Sequence, residues 1–176
     1  MDWYQKEYIT GTTGSFYDLH TCSWIHSQVV LHKWDIRFLS LAQFISNWSR
    51  DPSTKVGAVI ANDKRIISTG FNGFPQGMSD NPNLYSNREE KYSRVVHGEV
   101  NALIFSREPL DNCTLYTWPF APCDRCCVQM LQAGITKFVF PAPTEEQKMR
   151  WGSSFEKSKN YIQECEAYWT EVDIGR

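Results

Sequence analysis

Two stretches that lie well apart in the chain constrain it most: His97-Gly98-Glu99 and Pro122-Cys123-Asp124-Arg125-Cys126. They hold one imidazole, two thiols and a carboxylate, a set with little meaning unless the fold brings it to one point. An imidazole and two thiolates give three ligands to a tetrahedral Zn²⁺ and leave its fourth position open, as in a catalytic rather than a structural site. Zinc held this way lowers the pKa of a water molecule in that position toward neutrality. Glu99 then reads as the general acid/base that carries protons between water and substrate.

The spacing also limits local structure. Two residues apart in a helix interior point roughly 200° away from each other, so His97 and Glu99 share a site only where a helix begins near His97. Cys123 and Cys126 lie three apart, on one face of a first turn, and Pro122 suits the opening of that helix. Both pieces therefore read as helix N-termini aimed at one cation, a setting that favours thiolate over thiol. A lone CxxC is as readily a stray or redox pair; the preceding Pro and the upstream His-x-Glu decide for metal.

A chain of 176 residues suits one domain with a real core, or one domain plus an extension. A net charge of −2 without a dense Lys/Arg run argues against a large nucleic-acid footprint. No apolar run is long enough to span a membrane, and Met1-Asp2-Trp3-Tyr4-Gln5-Lys6 lacks a signal-peptide pattern. Beyond the motif pair, Cys22, Cys113, Cys127 and Cys165 form no regular framework, which reads as a reducing cytoplasm.

Residues 1–33 form an extension of unclear role, rich in aromatics, Gly and Thr. Its His20, Cys22, His26 and His32 read as surface or packing residues rather than a second metal site. From Trp34 the stripe Trp34, Phe38, Leu41, Ile45, Trp48 predicts a helix that Pro52 stops. Val56–Ala61 and Ile66–Phe71 flank an Asn62-Asp63 turn and predict a hairpin. The loop Gly70–Gly77 has glycines that permit close backbone approach to a ligand, and 78–93 reads as polar loop. The metal helix should turn Val100, Leu103 and Ile104 inward. A strand at Cys113–Tyr116 precedes the cysteine helix, which Gly134 caps. Lys137–Phe140 follows by a helix crossover and should run parallel to that strand. A polar helix over Glu145–Cys165 leads to a last strand near Thr170–Asp173. The alternation gives a three-layer α/β/α domain over 34–176.

Four motifs carry a family resemblance: Ser49-Arg50-Asp51-Pro52-Ser53-Thr54-Lys55-Val56-Gly57-Ala58, Gly70 to Gly77, His97-Gly98-Glu99-Val100-Asn101-Ala102-Leu103, and Pro122 to Cys126. His-x-Glu with Pro-Cys-x-x-Cys is the signature of zinc-dependent base deaminases. From Trp34 to Ile174 the chain resembles the deoxycytidylate deaminases of the zinc cytidine deaminase superfamily. The resemblance implies a cytidine-deaminase-like fold with a central five-stranded mixed sheet. It implies hydrolysis of dCMP to dUMP and ammonia for dTMP supply, in a cytoplasmic homohexamer activated by dCTP and inhibited by dTTP. Mg²⁺ would accompany a bound triphosphate. His97, Cys123 and Cys126 take the zinc, Glu99 is the proton shuttle, and Asn72 hydrogen-bonds the sugar. Arg50, Lys55, Gly73, Arg88 and Lys91 are candidates for the 5′-phosphate or the regulator.

The chain departs from the family pattern in places. Gly98 stands for the usual Ala. Pro141-Ala142-Pro143-Thr144 lacks a Tyr that many members bring to the substrate, with Trp151 a candidate replacement. Some members hold a second, structural zinc; here its places fall on Asp51, Asn87 and Lys91, so none is expected. Competing readings are deamination of another cytosine nucleotide or nucleoside, or of tRNA adenosine, which would call for a basic face. From another class, a structural-zinc interaction module would need a fourth ligand, and Cys127 is adjacent but faces elsewhere in a helix.

Overall fold

The computed structural model describes residues 31–175, and the backbone alone of 13–18 and 23–28. The short apolar runs become strands of one sheet: β1 Thr13–Asp18, β2 Ser23–Gln28, β3 Gly57–Asn62, β4 Arg65–Phe71, β5 Thr114–Trp118, β6 Lys137–Pro141 and β7 Tyr168–Val172. Their order is β2-β1-β7-β6-β5-β3-β4. β5, β6 and β7 run parallel, and β3 is antiparallel to both β4 and β5, giving the five-stranded mixed sheet expected. The β1–β2 hairpin then extends that sheet beyond β7. His20 and Cys22 lie outside the described residues, as does the His26 side chain.

The helices are α1 Lys33–Ser46, α2 Pro82–Ser86, α3 Arg88–Arg94, α4 Gly98–Ile104, α5 Asp124–Gln132 and α6 Glu145–Glu164. Alternation along the strands feeds two cores, as a period of two requires. Ala58, Ile60, Leu115, Phe138 and Phe140 pack with Ala102, Met130, Phe155 and Ile162 of α4, α5 and α6. Val59, Ala61, Tyr116 and Val139 pack with Ile36, Leu39, Ala42 and Ile45 of α1. Three layers result.

Close approach as well as bulk decides which helix faces turn inward. The buried face of α1 is Ile36, Phe38, Leu39, Ala42 and Ile45; the predicted stripe thus supplies Phe38 and Ile45 to the core, with Trp34 and Leu41 packed at its edge, while Trp48, past the helix end, is 54% exposed. The helix passes so near β3 that a Cβ on Gly57 would sit 2.0 Å from the Ala42 carbonyl oxygen. It also ends at Ser46, well before Pro52. Likewise α4 buries Gly98, Glu99 and Ala102, while Ile104 is 62% exposed and Val100 and Leu103 are half-buried. A Cβ on Gly70 of β4 would lie 2.3 Å from the Gly98 carbonyl oxygen. The polar 78–93 segment is not all loop: Asn81 and Asn87 cap α2 and α3 by accepting from backbone N–H groups two and three residues on. Gly134 does cap α5, at φ 95°, with Gly134 N donating to Leu131 O and Ile135 N to Met130 O.

Candidate active site

His97 and Cys123 are the N-cap residues of α4 and α5, and neither side chain caps its helix, so both remain available to a ligand. Cys126 sits in the first turn of α5. Pro122 precedes the cap rather than opening the helix itself. His97 Nδ1 lies 3.6 Å from Cys123 Sγ and 3.3 Å from Cys126 Sγ. Tetrahedral zinc with ordinary Zn–N and Zn–S bonds sets N···S separations of about 3.6 Å, so the set fits that ion. Among the described residues this is the only His/Cys/Asp/Glu cluster of metal-binding geometry. Cys127 does not join it: its Sγ donates to Ser158 O at 3.5 Å, and burial pushes its pKa up to about 12.

The ligand atoms compete for protons. The Cys126 thiol and the His97 ring hold Cys123 down at about 4, against its own burial. Contact with Cys123 raises His97 to about 9, and the same neighbour pushes Cys126 above the ordinary thiol range. A cation entering here would displace those protons. Glu99 is 3% exposed and its Oε2 accepts a hydrogen bond from no protein group. Burial raises its pKa. Such an orphaned oxygen is costly unless something in the site uses it, and the direction of its shift suits a group exchanging protons near neutral pH.

His97, Glu99 and Cys123 open on a cavity of about 140 Å³. Its apolar wall is Phe120, Trp151 and Phe155, with ring centroids 4.9 and 5.4 Å from Phe120, a surface suited to a flat ring. α6 also fastens the cysteine segment: the backbone N of Asp124 donates to Ser154 Oγ at 3.0 Å, and Ser158 Oγ donates to Pro122 O at 2.8 Å. Of these only Trp151 was singled out from sequence. The signal existed, since Trp151, Ser154, Phe155 and Ser158 repeat at helical spacing.

Asn72 lines the cavity, but its carboxamide is engaged by protein: Oδ1 accepts from Val56 N at 2.7 Å, and Nδ2 donates to Thr54 O at 2.9 Å and Asp51 Oδ2 at 3.3 Å. Asp51 is itself paired with Lys91, Nζ to Oδ2 2.6 Å, and Lys91 also donates to Ser53 Oγ at 2.6 Å. Asp51 and Lys91, two of the three places set against a second zinc site in the sequence, thus form a buried ion pair, and the third, Asn87, caps α3. Arg50 pairs with Asp80 at 3.5 Å and lines a second cavity of about 360 Å³ with Trp48, Gly73, Phe74 and Phe105. Asn72 borders both cavities. Gly73 bridges Val96 in both directions, N to O 3.1 Å and O to N 2.8 Å. The glycine with a close backbone neighbour is Gly70, and that neighbour is α4 rather than a ligand. Gly98 has room for little more: an added Cβ would lie 3.2 Å from Val56 O.

Residues 32–142 match the cytidine and deoxycytidylate deaminase zinc-binding region. A deaminase encoded in the luxG 3′ region of Aliivibrio fischeri is 39% identical over 147 residues, 82% of this chain and 99% of that one. The Mus musculus deoxycytidylate deaminase is 34% identical over 115 residues; the match spans 61% of this chain but only 64% of the mouse protein. The crystal structure of dCMP deaminase from the cyanophage S-TIM5 with dCMP and dUMP has a TM-score of 0.59 at 23% identity, covering 78% of this chain and 95% of that one. At that identity the likeness is one of fold.

Proposed function

We infer that this chain, which belongs to the cytidine and deoxycytidylate deaminase family, hydrolyses dCMP to dUMP and ammonia. One observation carries the reading: a His97/Cys123/Cys126 triad on two helix N-termini meets a buried carboxylate, Glu99, whose Oε2 has no protein partner. His97, Cys123 and Cys126 hold the zinc, which when bound lowers the pKa of water toward neutrality. Phe120, Trp151 and Phe155 take the pyrimidine ring and keep bulk water from it. As water adds at C4 of the cytosine, Glu99 accepts its proton and passes it to N3; it then takes the proton of the new C4 hydroxyl and delivers it to the amine, which leaves as ammonia while C4 becomes a carbonyl. Asn72 lies where the sugar enters, and contacts it through whatever hydrogen-bonding capacity the 51–56 segment leaves free.

The same reading extends to regulation and assembly. dCTP activates and dTTP inhibits, acting on the Gly70–Gly77 loop, whose second cavity shares Asn72 with the first. A regulator works there only by binding one loop arrangement better than another. Mg²⁺ travels with the triphosphate. Phe44, Trp48 and Phe105, 60%, 54% and 58% exposed, support burial between subunits of a homohexamer. Residues 34–176 form the deaminase domain and 1–33 the extension. The protein acts in the cytoplasm, where dUMP feeds dTMP synthesis; no described helix is long and apolar enough to cross a membrane.

The test is ammonia release from dCMP, dCTP, deoxycytidine and CMP, with and without dCTP and dTTP. The expected result is preference for dCMP, sigmoidal saturation that dCTP makes hyperbolic, and suppression by dTTP. Equal kcat/KM for deoxycytidine and dCMP refutes the substrate. Hyperbolic saturation unchanged by either triphosphate refutes the regulation.

A further inference from the structure

A nucleotide seated in the first cavity needs cations at the mouth, and the four bases considered from sequence are not equivalent. Lys91 is spent on Asp51 and Ser53. Arg50 faces the second cavity. Lys55 is exposed, as Arg88 and Arg150 are, but no cation–ring contact among the described residues holds it on the wall of the first. Arg88 remains, and the fold brings Arg150 of α6 to the same place. Arg88 Cζ lies 5.3 Å from the Tyr92 ring centroid, and Arg150 Cζ lies 4.4 Å from that of Trp151. Tyr92 and Trp151 both line the cavity. Burial pushes the Tyr92 phenol up, but hydrogen bonds and charge from Arg150 and Arg88 outweigh it and hold it below its ordinary value.

Among the described residues neither guanidinium has a carboxylate in ion-pair range. Glu90 pairs with Arg94 and Glu145 with Lys148, and Glu146, one turn before Arg150, makes no ion pair with it. Two guanidiniums held on rings of one cavity wall, Arg88 on Tyr92 and Arg150 on Trp151, repel each other until an anion comes between them. Their planar forks match phosphate oxygens, and stacking on Tyr92 and Trp151 leaves less freedom to lose on binding.

We propose that Arg88 and Arg150, with the Tyr92 hydroxyl between them, hold the 5′-phosphate of the nucleotide and set the preference for nucleotide over nucleoside. The proposal rests on the deaminase reading above.

The experiment is steady-state kinetics of the zinc-loaded full chain on dCMP and deoxycytidine, for wild type, Arg88→Ala, Arg150→Ala, Arg150→Lys and the double Ala variant. Arg37→Ala is the control, since Arg37 lies over Trp34 on α1, across the sheet. Each single Ala change should raise KM for dCMP about tenfold to a hundredfold, the size expected for losing a charge-assisted hydrogen bond, with kcat little changed. Arg150→Lys should recover part of the loss. The double variant should lose the preference for dCMP, and inorganic phosphate should compete with dCMP in wild type only. Single variants within twofold of wild type in KM for dCMP overturn the proposal. So does an equal rise for deoxycytidine, which would mean a change in cavity shape. If wild type turns over neither substrate, the deaminase reading fails. Calorimetric titration of dCMP then still decides the subsite: weaker binding to the double variant supports it, and equal binding overturns it.

Discussion

Asp51→Asn tests the buried ion pair beneath the site. It keeps the side chain's shape but removes the charge that neutralises Lys91, whose side chain is 9% exposed against 1% for Asp51. The Lys91 ammonium would retain Ser53 Oγ and a neutral carbonyl in place of a carboxylate held at 2.6 and 2.8 Å. Breaking a buried pair from one side costs about 3–5 kcal/mol. At about 2–4 °C per kcal/mol for a chain of this size, Tm should fall by roughly 6–20 °C. Lys91→Met should cost less, about 1–3 kcal/mol, because Asp51 keeps donors from Ser53 N, Ser53 Oγ, Thr54 N and Asn72 Nδ2. The double variant, Asp51→Asn with Lys91→Met, should therefore be more stable than Asp51→Asn alone.

The pH dependence has a definite sign. Burial pushes the Asp51 carboxyl up, but Lys91, Ser53 and Thr54 outweigh it and hold the folded value below the ordinary one. Its stabilisation is then fully present above the unfolded pKa of about 3.9 and lost as pH falls through the folded value. Urea unfolding of zinc-loaded protein at one concentration, from about pH 8 down to about pH 3, measures this. The gap between wild type and Asp51→Asn should stay level down to about pH 5 and narrow below about pH 4. A gap under about 1 kcal/mol near neutrality, or one that does not narrow in acid, would refute the reasoning.

Glu99→Gln should retain zinc, lose ~10²–10⁴ in rate, and unfold at higher urea, because a buried carboxylate with one oxygen unpartnered by protein is gone; near-wild-type turnover sinks the shuttle role. Cys126→Ala should lose zinc by elemental analysis while Cys127→Ala keeps it, since the Cys127 thiol points to Ser158 O; metal content independent of Cys126 contradicts the ligand set. Gly70→Ala should melt well below wild type, its Cβ meeting Gly98 O and Ala102 N at 2.3 and 2.4 Å. Gly73→Ala has open space for its Cβ and should melt like wild type, while a bulky residue there should blunt both triphosphate responses in the kinetic assay.

The meeting of His97, Cys123 and Cys126 was legible in local spacing. Ligand geometry and the start of a helix are both set within a few residues, so His-x-Glu and Pro-Cys-x-x-Cys could only meet as two helix N-termini. The two-residue period of the strands and the helix crossover before Lys137 likewise determined the parallel pairing of β5 with β6. The stripe of α1 marked its inner face through Phe38 and Ile45, but which face of α4 turns inward was not readable. That helix lies against Gly70, so contact is set by backbone approach, and Ile104 is left outside. The charges needed the tertiary structure most. In sequence Arg50, Lys55, Arg88 and Lys91 are equivalent cations and Arg150 is one more on a polar helix. Only the fold gives Lys91 the carboxylate of Asp51 and sets Arg150 beside Tyr92, because what a buried or converging charge can do depends on the neighbours that distant segments supply.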